Sequence, residues 1–333
     1  MGDLGFPALL EVGPPPPAVS EDLKALGTAL DQVVPPKELD RNLLVATWNL
    51  RAFGGLTKKW QSAADDSPKR DLHDVFCIAS VGSRFDVVAL QEVRGDLRAL
   101  RYLLKALGPD WAFLLTDVTK GKEGNDERMA FVYDTRRVKL SGLAAELVVW
   151  IESSPKIKEG ALGRQFARTP YAVGFQSAGA TFILVTLHVI YGKNPQERVG
   201  ELKEIADWLA DWTKEVNGFN QNLIALGDFN IDRAKDPLYE AFVSTGLRPP
   251  PEIEGLRRTI FDDPGKEHHF DQVAWFTGED GSGPRLEPPL RYDRQAGNFD
   301  FVPVLLKSMS TVELSWRISD HYPLWVGFSV RPE

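Results

Sequence analysis

What the chain lacks narrows its class before any motif is read. Its 333 residues include one cysteine, Cys77, which excludes an intrachain disulfide framework and any zinc site built on cysteine. No stretch reaches the roughly 18 to 20 apolar residues that cross a bilayer, so no integral membrane segment is expected. Positive charge is in deficit: 39 Lys plus Arg stand against 47 Asp plus Glu, a net charge of −8. Bulk electrostatics alone will not hold a polyanion under that balance. A phosphate-bearing substrate then needs a local basic patch, a metal ion, or both. The first residues lack the positive start and small-residue cleavage site of a signal peptide. Phe6 stands where myristoylation at Gly2 would want Ser or Thr. These absences predict a cytoplasmic location, or a secreted one if a leader has been removed. No self-similarity marks a repeat protein.

What is present is globular. Apolar residues make up 43% and charged residues 26%, a balance that excludes disordered, collagenous and coiled-coil chains. Residues 1–40 read as a proline-rich arm with the run Pro14-Pro15-Pro16-Pro17 and one short helix. That helix is capped by Ser20, packs through Leu23, Leu26, Leu30 and Val33, and stops at Pro35-Pro36. Residues 41–333 read as a single domain. Strand-length apolar runs occur at 43–48, 86–90, 111–116, 129–133, 171–175, 181–187, 222–226, 272–276 and 324–330. Helical stripes lie between them: Leu72, Val75, Phe76 and Ala79, then Leu97, Leu100, Leu103, Leu104 and Leu107 before Gly108-Pro109. The clearest helix starts at Asn194-Pro195, ends at Asn217-Gly218, and turns Val199, Leu202, Ile205, Leu209 and Trp212 inward. Pro249-Pro250-Pro251 and the stretch 277–289 read as surface loops. Helices and strands in this mixture predict α+β layers around one large core.

Polar residues gather at the ends of the apolar runs, where loops collect binding and catalytic groups. The first run ends in Trp48-Asn49, the second in Gln91-Glu92, 181–187 in His188, and 222–226 in Gly227-Asp228-Phe229-Asn230. Asp271 opens the next run, and Asp320-His321 precedes the last. Each alone has a dull explanation: a turn for Asp228 and Asn230, a helix-dipole partner for Glu92, a structural loop pair for Asp320-His321. His268-His269 lacks the spacing of a zinc site, and Asp65-Asp66 and Asp262-Asp263 read as exposed turns. Together the dull explanations fail, since separate strand ends would have to carry such groups by accident. Glu92, Asp228, Asp320 and the amide oxygens of Asn49 and Asn230 are hard donors suited to Mg²⁺, Mn²⁺ or Ca²⁺. Histidines beside carboxylates move protons near neutral pH, and arginines grip phosphate oxygens. The combination describes hydrolysis of a phosphate ester. Trp208, Trp275 and Trp325 read as core; Trp60 with Lys58 and Lys59 reads as a loop near the cleft.

Seven motifs carry a resemblance. They are Thr47-Trp48-Asn49-Leu50-Arg51, Leu90-Gln91-Glu92-Val93-Arg94, Glu127-Arg128-Met129-Ala130-Phe131, Phe166-Ala167-Arg168-Thr169-Pro170, Thr186-Leu187-His188, Gly227-Asp228-Phe229-Asn230 and Ser319-Asp320-His321. In that order they resemble the endonuclease/exonuclease/phosphatase superfamily, and within it the deoxyribonuclease I branch, from about residue 43 to 328. The resemblance implies a four-layer α/β/β/α sandwich with two mixed, mainly antiparallel sheets face to face, helices outside, and a metal cleft at one rim. It implies Glu92 as principal metal ligand beside Asn49 and Asp320, with Mg²⁺ as cofactor and Mn²⁺ or Ca²⁺ as alternatives. Asp228 and Asn230 would orient the attacking water and the scissile phosphate. His321 with Asp271, and His188 with Glu127, would be the two histidine–carboxylate couples. Arg94 and Arg168 match arginines that contact the nucleic-acid backbone. Asn125 stands where that branch carries a tyrosine, and the paired cysteines of its secreted pancreatic members are missing.

Three functions compete. A low-specificity DNA endonuclease is favoured by the two couples and the two arginines. A hydrolase of the same fold acting on phosphoinositide, sphingomyelin or nucleotide is favoured by the acidic balance. A catalytically silent binding module would show damage in the constellation, yet every matched position carries a competent side chain.

Overall fold

The computed structural model describes residues 12–119, 124–147, 166, 168–192, 194–214, 222–277, 286–305 and 307–330. Its first sheet grows from β1 (Asn42–Phe53) and β2 (Val87–Arg94), which lie parallel. Parallel neighbours need a crossover, supplied by α2 (Leu72–Gly82), whose start is fixed by a reciprocal Asp71–Asp74 capping box. After α3 (Arg98–Leu107) come β3 (Trp111–Leu115) and β4 (Glu127–Asp134), and from the C-terminus β11 (Arg291–Asn298) and β12 (Leu324–Ser329). The order is β11-β12-β1-β2-β4-β3.

The second sheet comprises β5 (Lys139–Glu146), β6 (Tyr171–Ser177), β7 (Ala180–His188), β8 (Leu223–Ile231), β9 (Leu247–Arg248) and β10 (His269–Phe276). Its order is β5-β6-β7-β8-β10-β9. Here β7 and β8 form the parallel pair, with α4 (Pro195–Trp212) in the crossover. The remaining helices are α1 (Pro17–Val33), α5 (Pro237–Val243) and α6 (Thr311–Arg317).

Alternation along the strands builds the layers. Leu43 and Val45 of β1 join Val87, Phe131, Phe175, Leu184, Leu226 and Val273 in the core between the sheets. Leu44, Ala46 and Trp48 point the other way, into a cluster with Leu26, Leu30, Val75, Phe76, Leu100 and Leu103 from α1, α2 and α3. A third cluster sets Leu202, Ile205, Leu209 and Phe242 of α4 and α5 against Val185, Ala225 and Phe229. The result is the expected four-layer sandwich. Burial on both faces is why the central strands read as unbroken apolar runs.

Several elements differ from expectation. The first helix begins at Pro17, with Pro16 rather than Ser20 at its cap. Val33 lies 47% exposed, and Val34, in extended backbone past the helix end, enters the core instead. β5 and β11 are edge strands (KLSGLAAE and RYDRQAGN) with no buried residue in either, and they lack the aliphatic runs of the central strands, so hydrophobicity did not reveal them. Pro250 is buried and Pro251 opens a 3-10 turn that seats Ile253 in the core. The expected helix end at Asn217-Gly218 and most of the stretch 277–289 lie outside the described residues. Trp275 and Trp325 are buried as expected, and Trp208 is half-buried.

Candidate functional site

Both parallel pairs end at one rim, and the antiparallel strands β4 and β10 begin there. The register sets Glu127 beside Arg94, His188 beside Asp228, and Asp271 beside Asp228. Local backbone irregularities aim the side chains. The β1–β2 register shifts between Asn49 and Phe53, and the β2–β4 register shifts between Leu90 and Val93. Such bulges re-aim side chains next to functional sites. Glu92 has φ +60° and Asn230 φ +50°, strained for residues with a Cβ. Gly227 has φ +145°, and a Cβ there would lie 2.0 Å from the Leu187 carbonyl oxygen. Only glycine lets β8 approach β7 so closely beside Asp228.

Asn49 joins the two sheets. Its Nδ2 donates to Glu92 Oε1 and to Asp228 Oδ2, each at 3.1 Å, while its Oδ1 accepts from Arg51 N at 3.2 Å. In this arrangement Asn49 gathers the two carboxylates. Glu92 Oε2 accepts from Ala52 N at 2.8 Å. Beneath them Gln91 Nε2 crosses between sheets to Thr186 Oγ1 at 2.9 Å. Asp228 Oδ2 lies 3.7 Å from His188 Nε2 and 3.9 Å from His321 Nε2. Its Oδ1 accepts from Asn230 N at 3.0 Å, and Asn230 Nδ2 donates to Val189 O at 2.7 Å. The convergence of residues 92, 228 and 321 that phosphate-ester chemistry requires is therefore present.

The two histidine–carboxylate couples differ. His321 Nδ1 meets Asp271 Oδ2 at 2.6 Å, inside the protein. Burial works against a charged His321, but Asp271, Asp228 and Asp320 outweigh it and hold the imidazole well above its ordinary value. Burial also pushes the Asp271 carboxyl up, to about 6. His188 Nδ1 stands 3.3 Å from Glu127 Oε2, an oxygen that also accepts from Arg168 Nε at 2.6 Å. Arg94 adds an ion pair to Glu127 Oε1 at 3.1 Å, and Asn125 Nδ2 donates to the same oxygen at 2.5 Å. Burial opposes a charged Glu127; His188 and the two arginines reverse that and hold its carboxyl below the usual range. Arg94 and Arg168 thus stand beside Glu127 and share their charge with it.

Glu92 and Asp320 offer oxygen donors only, whereas Asn49 turns its Nδ2 toward Glu92 and its Oδ1 toward Arg51 N, so its oxygen would reach an ion beside Glu92 only with the amide turned over. Asp320 pairs with Arg51 at 3.2 Å. Burial raises its carboxyl above the usual range and the charge of Glu92 adds to the rise, a repulsion that a cation between them would reverse. Among the described residues no three His, Cys, Asp or Glu side chains form a metal-binding cluster. Two carboxylates, with the amide oxygen once Asn49 is turned, would suit a hard divalent ion that keeps much of its water.

Sequence reasoning missed Arg70, which is 4% exposed. Its guanidinium donates to the carbonyls of Leu50 (3.3 Å), Arg51 (2.9 Å), Ala52 (3.1 Å), Arg317 (3.0 Å) and Ile318 (3.4 Å). It ties the end of β1 after Asn49 to the end of α6 before Asp320. Nothing in a lone arginine ahead of a helix signals that role. Ser319 helps in the same way, donating to Asn49 O at 2.5 Å and accepting from His321 N at 2.9 Å.

Other expectations resolve into packing. Trp60 is buried against Phe76 and donates to Gly13 O, Lys59 pairs with Asp66, and Lys58 lies over Tyr102. Asp262 is a buried hub rather than an exposed turn. It accepts from Arg258 N and Thr259 N and meets His268 Nδ1 at 2.6 Å.

The sequence profile of the Endonuclease/Exonuclease/phosphatase family matches residues 46–321. Comparison with curated proteins gives no match. Among solved structures, a Bacteroides thetaiotaomicron mannosyl-6-phosphatase superposes with a TM-score of 0.53 at 18% identity, over 86% of this chain and 99% of that one. TDP2 of D. rerio, solved with a single-strand DNA product, gives 0.55 at 18% identity over 86% and 98%. The human Nocturnin catalytic domain, with a bound sulfate, gives 0.54 at 16% identity over 88% and 95%. At these identities the likeness is one of fold.

Proposed function

The chain belongs to the Endonuclease/Exonuclease/phosphatase family, and we propose that it is a divalent-metal-dependent phosphodiester hydrolase that cuts DNA internally with little sequence preference. The observation that carries this reading is Asp228 Oδ2, within 3.9 Å of Nε2 of both His188 and His321 and hydrogen-bonded to Asn49. A phosphate seated there has a proton-transferring group on each side.

Glu92, Asp320 and Asn49 would hold the cation, Mg²⁺ first with Mn²⁺ or Ca²⁺ as alternatives. Once bound it supplies neutralisation of phosphate charge and polarisation of a phosphoryl oxygen. Asp228 and Asn230 orient the attacking water. One histidine takes the proton of that water at Nε2, and the other returns a proton to the leaving oxygen. Asp271 fixes the His321 tautomer through Nδ1 and supports its positive form, and Glu127 stands behind His188 in the same sense. Arg94 and Arg168, paired with Glu127, would contact a backbone phosphate.

The test uses circular plasmid and circular single-stranded DNA, which have no ends, with and without Mg²⁺ or Mn²⁺. Metal-dependent cutting is expected, with His188→Ala and His321→Ala each slower by about 10²- to 10⁴-fold. No cutting by the wild type, or cutting by both variants at the wild-type rate, would overturn it. A second reading, a hydrolase of phosphoinositide, sphingomyelin or nucleotide on the same centre, is favoured by the net charge of −8 and by the pairing of both arginines to Glu127. Turnover of those esters while DNA stays intact would select it. Metal-dependent turnover of any of them removes the silent-module alternative.

A further inference from the structure

Four arginines beside the site have little charge to spare. Arg51 pairs with Asp320 at 3.2 Å, Arg94 and Arg168 with Glu127 at 3.1 and 2.6 Å, and Arg198 with Asp232 at 2.9 Å. In a chain of net charge −8, those pairs cannot neutralise the dense phosphates of a duplex in the way that counterion-releasing grips do. Three exposed rings are linked to the same site instead.

Trp316 on α6 is 50% exposed and stacks one face on the Arg51 guanidinium, 4.0 Å from its ring centre. Arg51 in turn holds Asp320, next to His321. Phe261 is also 50% exposed. Its segment is laced to the catalytic loop, since Thr259 bridges to His321 and Ile260 N donates to Asp320 O at 2.8 Å. Tyr191 is 63% exposed and lies over Arg198, 5.0 Å from its ring centre, while Arg198 donates to Asn230 O at 2.7 Å. Each ring is thus one contact or a few residues from a group of the proposed centre. Exposed rings do not stabilise the core that the other aromatics fill, and a nucleobase is the ligand that an open ring face takes whatever the base sequence.

We propose that Trp316, Phe261 and Tyr191 form a stacking rim for unpaired bases, so that single-stranded DNA is the preferred substrate of the centre. This rests on the DNA-hydrolase reading above. Paired bases inside a duplex keep their faces against their neighbours, out of reach of such a rim. The arginine pairs then need only position a few backbone phosphates.

Binding separates this proposal from that reading. Three labelled probes are titrated with Mg²⁺ present into the His188→Ala variant, which suppresses cutting: a short single strand, the same strand carrying abasic sites, and its duplex. The intact single strand should bind most tightly. Adding Phe261→Ala or Tyr191→Ala should weaken it at least about fivefold while leaving the abasic strand unchanged. Trp316→Phe should bind like its parent and Trp316→Ala should not, and Phe261→Trp should bind better than Phe261→Leu. The rings are exposed, so melting temperatures should stay at that of the parent. Equal affinity for intact and abasic strands, duplex binding as tight as single-strand binding, or unchanged affinity in the ring variants would overturn the rim. Base-dependent binding by a wild type that cuts no DNA would overturn the hydrolase reading and leave the rim standing. No saturable binding of any probe would overturn both.

Discussion

Replacing Asp271 by Asn separates chemistry from stability at the candidate site. The carboxylate is fully buried and faces His321 Nδ1 at 2.6 Å, so its charge acts on the imidazole with little screening. Asn keeps the shape and can still accept from Nδ1, but it removes the anion that supports the imidazolium. Losing the carboxylate behind a catalytic histidine costs about 10⁴-fold where it has been measured in hydrolases, and the looser bound for a general acid or base is about 10². At about 1.36 kcal/mol per tenfold, the expected rise in barrier is roughly 3 to 5.5 kcal/mol. Stability should respond differently. Asp271 Oδ1 has no hydrogen-bond partner, and burial raises the carboxyl to about 6, so the native fold already disfavours this charge. Without the anion His321 can shed its proton and keep a neutral Nδ1–H bond to Asn, so no buried charge is stranded, and we expect the unfolding free energy of Asp271→Asn to fall by no more than about 2 kcal/mol. Initial rates on whichever phosphate ester the wild type turns over, paired with urea unfolding, read both quantities. A rate within fivefold of wild type would refute the role given to the couple. A collapse of stability together with the rate would refute the claim that the carboxylate serves chemistry rather than packing.

Arg70→Met should destabilise the fold by about 3 to 5 kcal/mol, because five carbonyls at the ends of β1 and α6 lose a buried donor together; chemical unfolding reads it, and a midpoint equal to wild type would refute the tie. Arg70→Lys should recover little, since an ammonium cannot span both element ends. Asp134 tests the opposite end of the sandwich. Burial opposes its charge, but Arg136 and Lys37 win, at 2.8 and 3.1 Å, and hold its carboxyl at about 2. Its folded value lies below the unfolded one, so the stabilisation is present above about pH 4 and is lost as pH falls toward 2. Asp134→Asn should therefore lose about 2 kcal/mol near neutrality and converge on wild type by pH 2 in a pH series of unfolding curves; a constant difference across that range would count against it.

Much of the site was legible because the central strands are buried on both faces, so a polar residue inside or just after them stands out. Asn49, Glu92, His188 and Asp228 lie at strand ends for that reason, and the structure brings them together with His321 and Asp271. Other parts left no mark. β5 and β11 are edges, where one side of the strand needs no hydrophobic cover, and their sequences look like loops. The competition of Arg94, Arg168 and Asn125 for Glu127 is a contact between segments brought together by the fold alone, and spacing along the chain carries no trace of it. The same holds for Arg70, whose partners are all backbone carbonyls, groups that every residue possesses.

The two sheets share one pattern, and that pattern dictates where chemistry can sit. In each, a parallel pair with a helix in its crossover is flanked by antiparallel strands: β1 and β2 in one, β7 and β8 in the other. Face-to-face packing brings the C-terminal ends of both pairs to one rim, where Asn49 reaches Asp228 and Gln91 reaches Thr186. The strand after each pair runs the opposite way, so β4 and β10 start where β2 and β8 finish. That is why the carboxylate partners Glu127 and Asp271 come from strand beginnings, while Glu92, His188 and Asp228 come from strand ends. No internal repeat is visible in the sequence because this pattern asks only for apolar alternation and a crossover of sufficient length, and many unrelated residues satisfy both. The rim is specified more narrowly. There a bulge, a left-handed Glu92 and a glycine pressed against Leu187 are tolerated in the midst of a well-packed core, and strain held at such a place is what a functional site leaves in a fold.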